Sequence, residues 1–163
     1  MSRFSLLALL LPTLALTLGA AAGCSEDEGA ALKPTGGVWT YEETEAVQNS
    51  CSMDLQLDPL TVFLLDDDPG DTFEVKAYER DIECVVSGYD FDCAPTIIHT
   101  ADLAPAFSAV LPFEVTYDGT FDSEVAGSGT ETVRVTCTGD DCALLGDAVP
   151  CQIITRFDIE YDG

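Results

Sequence analysis

The sequence predicts an all-β domain: an antiparallel, up-and-down meander of eight or nine short strands, closed as a barrel or folded as a curled sandwich, and stapled by disulfides. Three observations lead there. From Gly37 to Gly163 no stretch carries apolar residues at a 3.6-residue period, whereas β-branched and aromatic residues alternate with polar ones. Turn-forming residues punctuate the region, at Asp68-Pro69-Gly70-Asp71, Ser87-Gly88-Tyr89-Asp90, Asp118-Gly119 and Gly127-Ser128-Gly129, as a meander of hairpins requires. The same region holds Cys51, Cys84, Cys93, Cys137, Cys142 and Cys151, an even set that can close three disulfides in an oxidising compartment.

The first strand opens at Gly37-Val38-Trp39. Further on, Phe73, Val75 and Ala77 alternate with Glu74, Lys76 and Tyr78, as a sheet with one buried and one wet face requires. A two-residue turn at Gly88-Tyr89 then pairs Val86 with Phe91 and Cys84 with Cys93. Ile82, Cys84, Val86, Phe91 and Cys93 share one face in that register. The 84–93 pair falls at a non-hydrogen-bonded site, where Cα atoms approach to about 4.5 Å, within disulfide reach. Between Ala101 and Ser108 Pro105 limits any helix to a turn.

Asp118-Gly119 marks the next hairpin. A two-residue turn there buries the wrong face. A three-residue loop over 118–120 pairs Tyr117 with Phe121 and Phe113 with Val125, which restores the apolar face that register must follow. Val133, Val135 and Cys137 alternate with Thr132, Arg134 and Thr136. Ile153, Thr155, Phe157, Ile159 and Tyr161 alternate with Ile154, Arg156, Asp158 and Glu160. Barrel closure sets this last strand beside the first and brings Cys51, at the end of one, near Cys151, at the start of the other. Cys51–Cys151 with Cys137–Cys142 is therefore the favoured pairing, and Cys51–Cys137 with Cys142–Cys151 its rival.

Ahead of the β domain, a single arginine, Arg3, precedes an uncharged run from Phe4 to Ala22 rich in leucine and ending in small residues. That is the build of a secretory signal peptide. Its end, Ala21-Ala22-Gly23-Cys24, resembles the lipobox of bacterial lipoproteins, with Ala21 where that family usually carries an aliphatic residue. The resemblance implies removal of residues 1–23, diacylglycerol on Cys24, acylation of the new N-terminus, and a protein held to a membrane of the bacterial cell envelope, at the outer membrane or a periplasmic face. Seven cysteines fit this scheme, because lipid on Cys24 leaves six to pair. Residues 24–36 then read as a polar tether with a reach of about 20 Å, and residues 37–163 as the β domain.

Thirty acidic residues against six basic ones give a net charge of −24. Such a chain lacks the clustered Lys and Arg that nucleic-acid binding needs. Gly37-Val38-Trp39 resembles the Gly-x-Trp opening of lipocalins, whose barrels hold a small apolar molecule. That resemblance makes Trp39 a barrel plug and Trp39, Tyr41, Phe73, Phe91, Phe113 and Tyr117 the candidate lining of a cavity. Alternation puts Arg156, the candidate for the family's C-terminal arginine, on the wet face. So many large inward residues also suffice to fill a small barrel. Asp66, Asp67, Asp68 and Asp71 crowd four carboxylates into six residues, a weak calcium candidate, beside the plainer reading of a solvated hairpin tip. No motif implies a cofactor. His99, the lone histidine, has no nucleophile partner apparent in the sequence, so a non-enzymatic role is expected. Two functional classes follow: an acidic surface or protein-interaction module contacting an envelope protein, or a lipocalin-like binder of a small apolar ligand.

Overall fold

A computed structural model describes residues 33–51, 61–66 and 70–163, and among these nine strands form, most of them where apolar and polar residues alternate. They are β1 (Gly37–Asn49), β2 (Val62–Leu65), β3 (Thr72–Ala77), β4 (Arg80–Ser87), β5 (Asp90–Cys93), β6 (Thr96–Asp102), β7 (Val110–Phe121), β8 (Ala126–Val135) and β9 (Cys151–Tyr161). A short 3-10 segment, Cys142–Ala148, precedes β9. Residues 1–32, with Cys24, lie outside the described residues, as do Asp67 and Asp68. Pro34, from the end of the expected tether, is buried, and the Thr35 N–H donates to the Glu124 carbonyl at 2.8 Å.

Every pairing is antiparallel. Around the wall the order is β5-β4-β3-β2-β1-β9-β8-β7, and β7 returns to β5 through Asp90↔Thr120, Phe91↔Gly119 and Asp92↔Asp118. Eight strands thus close a barrel, with the last beside the first. β6 stands outside this ring. It continues from β5 through Ala94-Pro95 and pairs with the earlier half of β7, from Thr96↔Val115 to Asp102↔Val110. Bulges in the β1–β9 ladder, between Glu43 and Glu45 and between Ala46 and Gln48, add local twist to the long wall.

Alternation decides what lies inside. Phe73, Val75 and Ala77 are buried on β3, as are Leu111, Phe113, Val115, Tyr117 and Phe121 on β7 and Phe157 and Ile159 on β9. Each such aliphatic or aromatic side chain withdrawn from water contributes about 1.5–3 kcal/mol. Arg156, Asp158 and Glu160 point outward. The Arg156 guanidinium meets Glu45 at 2.6 Å on the exposed face, a position worth little stability.

One hairpin differs from the sequence expectation. The loop over 118–120 does not form: β7 runs straight through Asp118-Gly119 and pairs Tyr117 with Glu131 and Phe121 with Gly127. The reversal comes at 122–125, and Gly127-Ser128-Gly129 lies within β8 rather than in a turn. Gly119 and Gly129 stand opposite each other in this register. A Cβ on Gly119 would meet Phe91 Cζ at 2.6 Å, and one on Gly129 would meet Phe157 Cζ at 2.5 Å. Without a Cβ, these glycines leave room for the close approach of β7 to β8 and for the tips of two phenyl rings.

The cysteines join as Cys51–Cys151, Cys84–Cys93 and Cys137–Cys142, with Cα separations of 5.0, 3.9 and 5.8 Å. The first bridges the end of β1 to the start of β9, and the second crosses the β4–β5 hairpin in the expected register.

Candidate functional site

Trp39 enters the barrel at the start of β1 with no exposed surface. Its ring meets Phe121 edge-on at 5.5 Å and Tyr161 at 6.1 Å, and its indole N–H donates to the Thr35 carbonyl at 2.9 Å. One layer deeper, Phe63 on β2 contacts Tyr41, Phe73, Phe91, Tyr117 and Phe157, at centroid distances from 5.6 to 6.3 Å. Tyr41 lies 4.9 Å from Phe157, and Phe73 5.4 Å from Phe91. Such edge-on, tilted and stacked arrangements are those of packed rings. Of the six expected cavity residues, Trp39, Tyr41, Phe73, Phe91 and Tyr117 come together and pack into this cluster. Phe113 is also buried but sits further along β7, with the His99 ring of β6 at 5.3 Å.

Beside the aromatic cluster lies a polar one that alternation on β8 carries inside. Glu131 is only 4% exposed. The Tyr41 hydroxyl donates to its Oε2 at 2.7 Å, and the Tyr78 hydroxyl donates to its Oε1 at 2.9 Å. Tyr117 Oη and Thr61 Oγ1 are buried in the same neighbourhood, without a hydrogen bond of standard geometry among the described residues. Burial raises the Glu131 carboxyl above the ordinary glutamate range. The bonds from Tyr41 and Tyr78 oppose that rise, and the charge of Glu43 adds to it. Burial first, and then the Glu131 charge, hold the phenols of Tyr41, Tyr78 and Tyr117 protonated far above the usual tyrosine range.

Tyr78 reaches Glu131 from a tight turn between β3 and β4. Tyr78 and Glu79 both have positive φ, 54° and 60°, a left-handed pair that two-residue hairpins require and that Gly or Asn adopts more readily. The Tyr78–Glu131 hydrogen bond ties that turn to the barrel interior.

Sequence reading missed Glu131, Tyr78 and Thr61. For Glu131 a signal existed: it lies two residues before Val133 on the strand whose inward face reads Val133, Val135. An acidic residue on an apolar face was the mark. Tyr78 gave no such sign, because alternation along β3 places it outside. Among the candidate calcium ligands Asp66 and Asp71 are exposed.

The outer wall carries an acidic concavity of about 680 Å³, lined in part by Asp90 and Asp92 of β5, Asp118 of β7 and Asp158 of β9, with Arg156 at its margin. Burial and the neighbouring Asp92 raise the Asp118 carboxyl. Compared with known protein families, curated proteins and solved structures, the chain matches none of them.

Proposed function

We propose that the domain acts from its outer surface, as a non-catalytic, acidic protein-interaction module tethered to the cell envelope through lipid on Cys24. The observation that carries this reading is the filled barrel. Where a binder of a small apolar ligand needs a dry, open interior, the rings of Tyr41, Phe63, Phe73, Phe91, Tyr117 and Phe157 pack on one another, and Trp39 joins them through Phe121. A net charge of −24 favours cationic partners and repels other acidic surfaces.

Titration with long-chain fatty acids while following Trp39 fluorescence tests this reading. No saturable change is expected, because the indole is already enclosed. A saturable shift that disappears on unfolding would transfer support to the lipocalin-like alternative, with the ligand displacing rings of the cluster. For the anchor, cells grown on labelled palmitate should label the protein, and Cys24→Ala should abolish the label. Label retained in that variant would refute lipidation at Cys24.

A further inference from the structure

The ring closes through the short β5, but beyond the end of β5 its wall parts. β4 pairs with β5 only from Cys84↔Cys93 to Ser87↔Asp90. One more bond follows, from the Ala94 N–H to the Glu83 carbonyl, and the chain then turns at Pro95 and leaves along β7. Below that point Arg80–Ile82 is paired with β3 alone, and β6 with β7 alone, among the described residues. The unpaired edge of β6 borders a groove of about 370 Å³, walled by Ile97–Thr100 on that side and by the β3–β4 turn with the first residue of β4, Tyr78–Arg80, on the other.

Backbone alternation shows what β6 presents there. Val110 and Thr138 exchange both their hydrogen bonds, and the Thr136 N–H donates to the Pro112 carbonyl, so Val110 and Pro112 turn toward the β8 side. Leu111 and Phe113 must then face β6, where they oppose Ala101 and His99. Thr100, opposite Pro112, consequently points its N–H and C=O away from β7, toward the groove. The side chains agree with an accepting edge. Thr96-Ile97-Ile98-His99-Thr100-Ala101 contains no acidic residue in a chain that has thirty, and Ile97 is 52% exposed. Open edges are ordinarily protected by charge; the β4 stretch Arg80-Asp81-Ile82-Glu83 follows that rule, and charge is withheld from the β6 edge alone. Exposed acids lie on the groove and next to it in the chain, Glu79 in its wall with Asp81 and Glu83 further along β4 and Asp102 on β6. Against them stand Arg80 in the same wall and Lys76, which is 3.3 Å from Asp81, so the surroundings are acidic on balance.

We propose that the groove between β6 and the β3–β4 turn accepts an extended segment of a partner protein, uncharged and β-branched at its centre and basic at its ends, which adds to β6 as a further strand. Main-chain hydrogen bonds to the edge supply affinity in this mode, and the acidic flanks select the basic ends. The proposal rests on the interaction reading above and specifies its surface.

The test uses the full-length protein and a peptide of alternating threonine and valine with two lysines at each end, compared with the same peptide N-methylated at every second residue. Saturable binding is expected, with amide shifts concentrated in Thr96–Asp102 and Tyr78–Arg80, and with N-methylation weakening it at least tenfold. Thr100→Pro removes the donor facing the groove and should weaken the unmodified peptide by a similar factor. Should that variant fail to fold, the comparison of the two peptides still decides. No binding of either peptide overturns the proposal. Equal binding of both, removed by salt, also overturns it, because attraction to the acidic faces then accounts for everything, and the broader interaction reading survives. Self-association abolished by Thr100→Pro, without peptide binding, would make a second copy the occupant and defeat the basic partner.

Discussion

Glu131 shows how one residue's environment sets its behaviour. Its carboxyl is raised above the unfolded value of about 4.3, so the folded barrel holds that proton more tightly than the unfolded chain does. The stability linked to this group is therefore fully present at low pH and is lost as pH rises from the unfolded value through the raised, folded one. Glu131→Gln keeps the shape and cannot ionise. Urea midpoints of the two proteins measured between pH 4 and pH 8 should diverge in the variant's favour as pH rises, and parallel curves would count against a raised carboxyl. Glu131→Ala strands the hydroxyls of Tyr41 and Tyr78 and should cost about 1–3 kcal/mol for a buried group left unpaired. The phenols themselves supply a second prediction. Tyr41, Tyr78 and Tyr117 are raised by burial, so stability should fall as pH climbs above the unfolded tyrosine value of about 10. An ultraviolet titration should find three of the five tyrosines ionising only as the near-ultraviolet circular dichroism of the barrel collapses. Ionisation of all five with that signal intact would contradict it.

At the scale of the strand, glycine carries two meanings that a sequence does not separate. Gly88, with φ of 70°, sits where the β4–β5 hairpin turns. Gly119 and Gly129 sit inside long strands, because the facing strand's carbonyls, of Ser128 and Asp118, and the rings of Phe91 and Phe157 occupy the space a Cβ would take. Gly129→Ala should therefore destabilise by about 1–3 kcal/mol through overpacking, measurable by chemical denaturation. Gly70→Ala, with nothing within 4 Å of the added carbon, should change stability by less than about 0.5 kcal/mol. Equal effects at the two positions would remove the packing explanation for the uninterrupted β7–β8 ladder. The Asp118-Gly119 expectation failed for this reason: a turn and a close ring contact both call for glycine, and only the partner strand tells which.

For the whole molecule, the three disulfides differ chiefly in the length of chain they close. In the loop-entropy account the 100-residue separation of Cys51–Cys151 is worth about 4.7 kcal/mol, Cys84–Cys93 about 2.7 and Cys137–Cys142 about 2.2. Paired Cys→Ser variants should follow that order in denaturation midpoint, and a larger loss at Cys137–Cys142 than at Cys51–Cys151 would overturn it. By itself the sequence determined the all-β class, the inward set on most strands, the β4–β5 hairpin with its cross-strand cysteines, and the meeting of first and last strands. Each follows from a local period of two, from turn chemistry, or from closing a meander on itself. Tertiary structure alone decided where β7 ends, that β6 lies outside the ring, and that Glu131 is enclosed by Tyr41 and Tyr78, which lie 90 and 53 residues away in the chain. Alternation assigns a side chain to a face but does not say which strand stands opposite. That choice is made when all the faces must be buried together, as the ring volumes of distant strands and the unpaired polar atoms are accommodated in one interior.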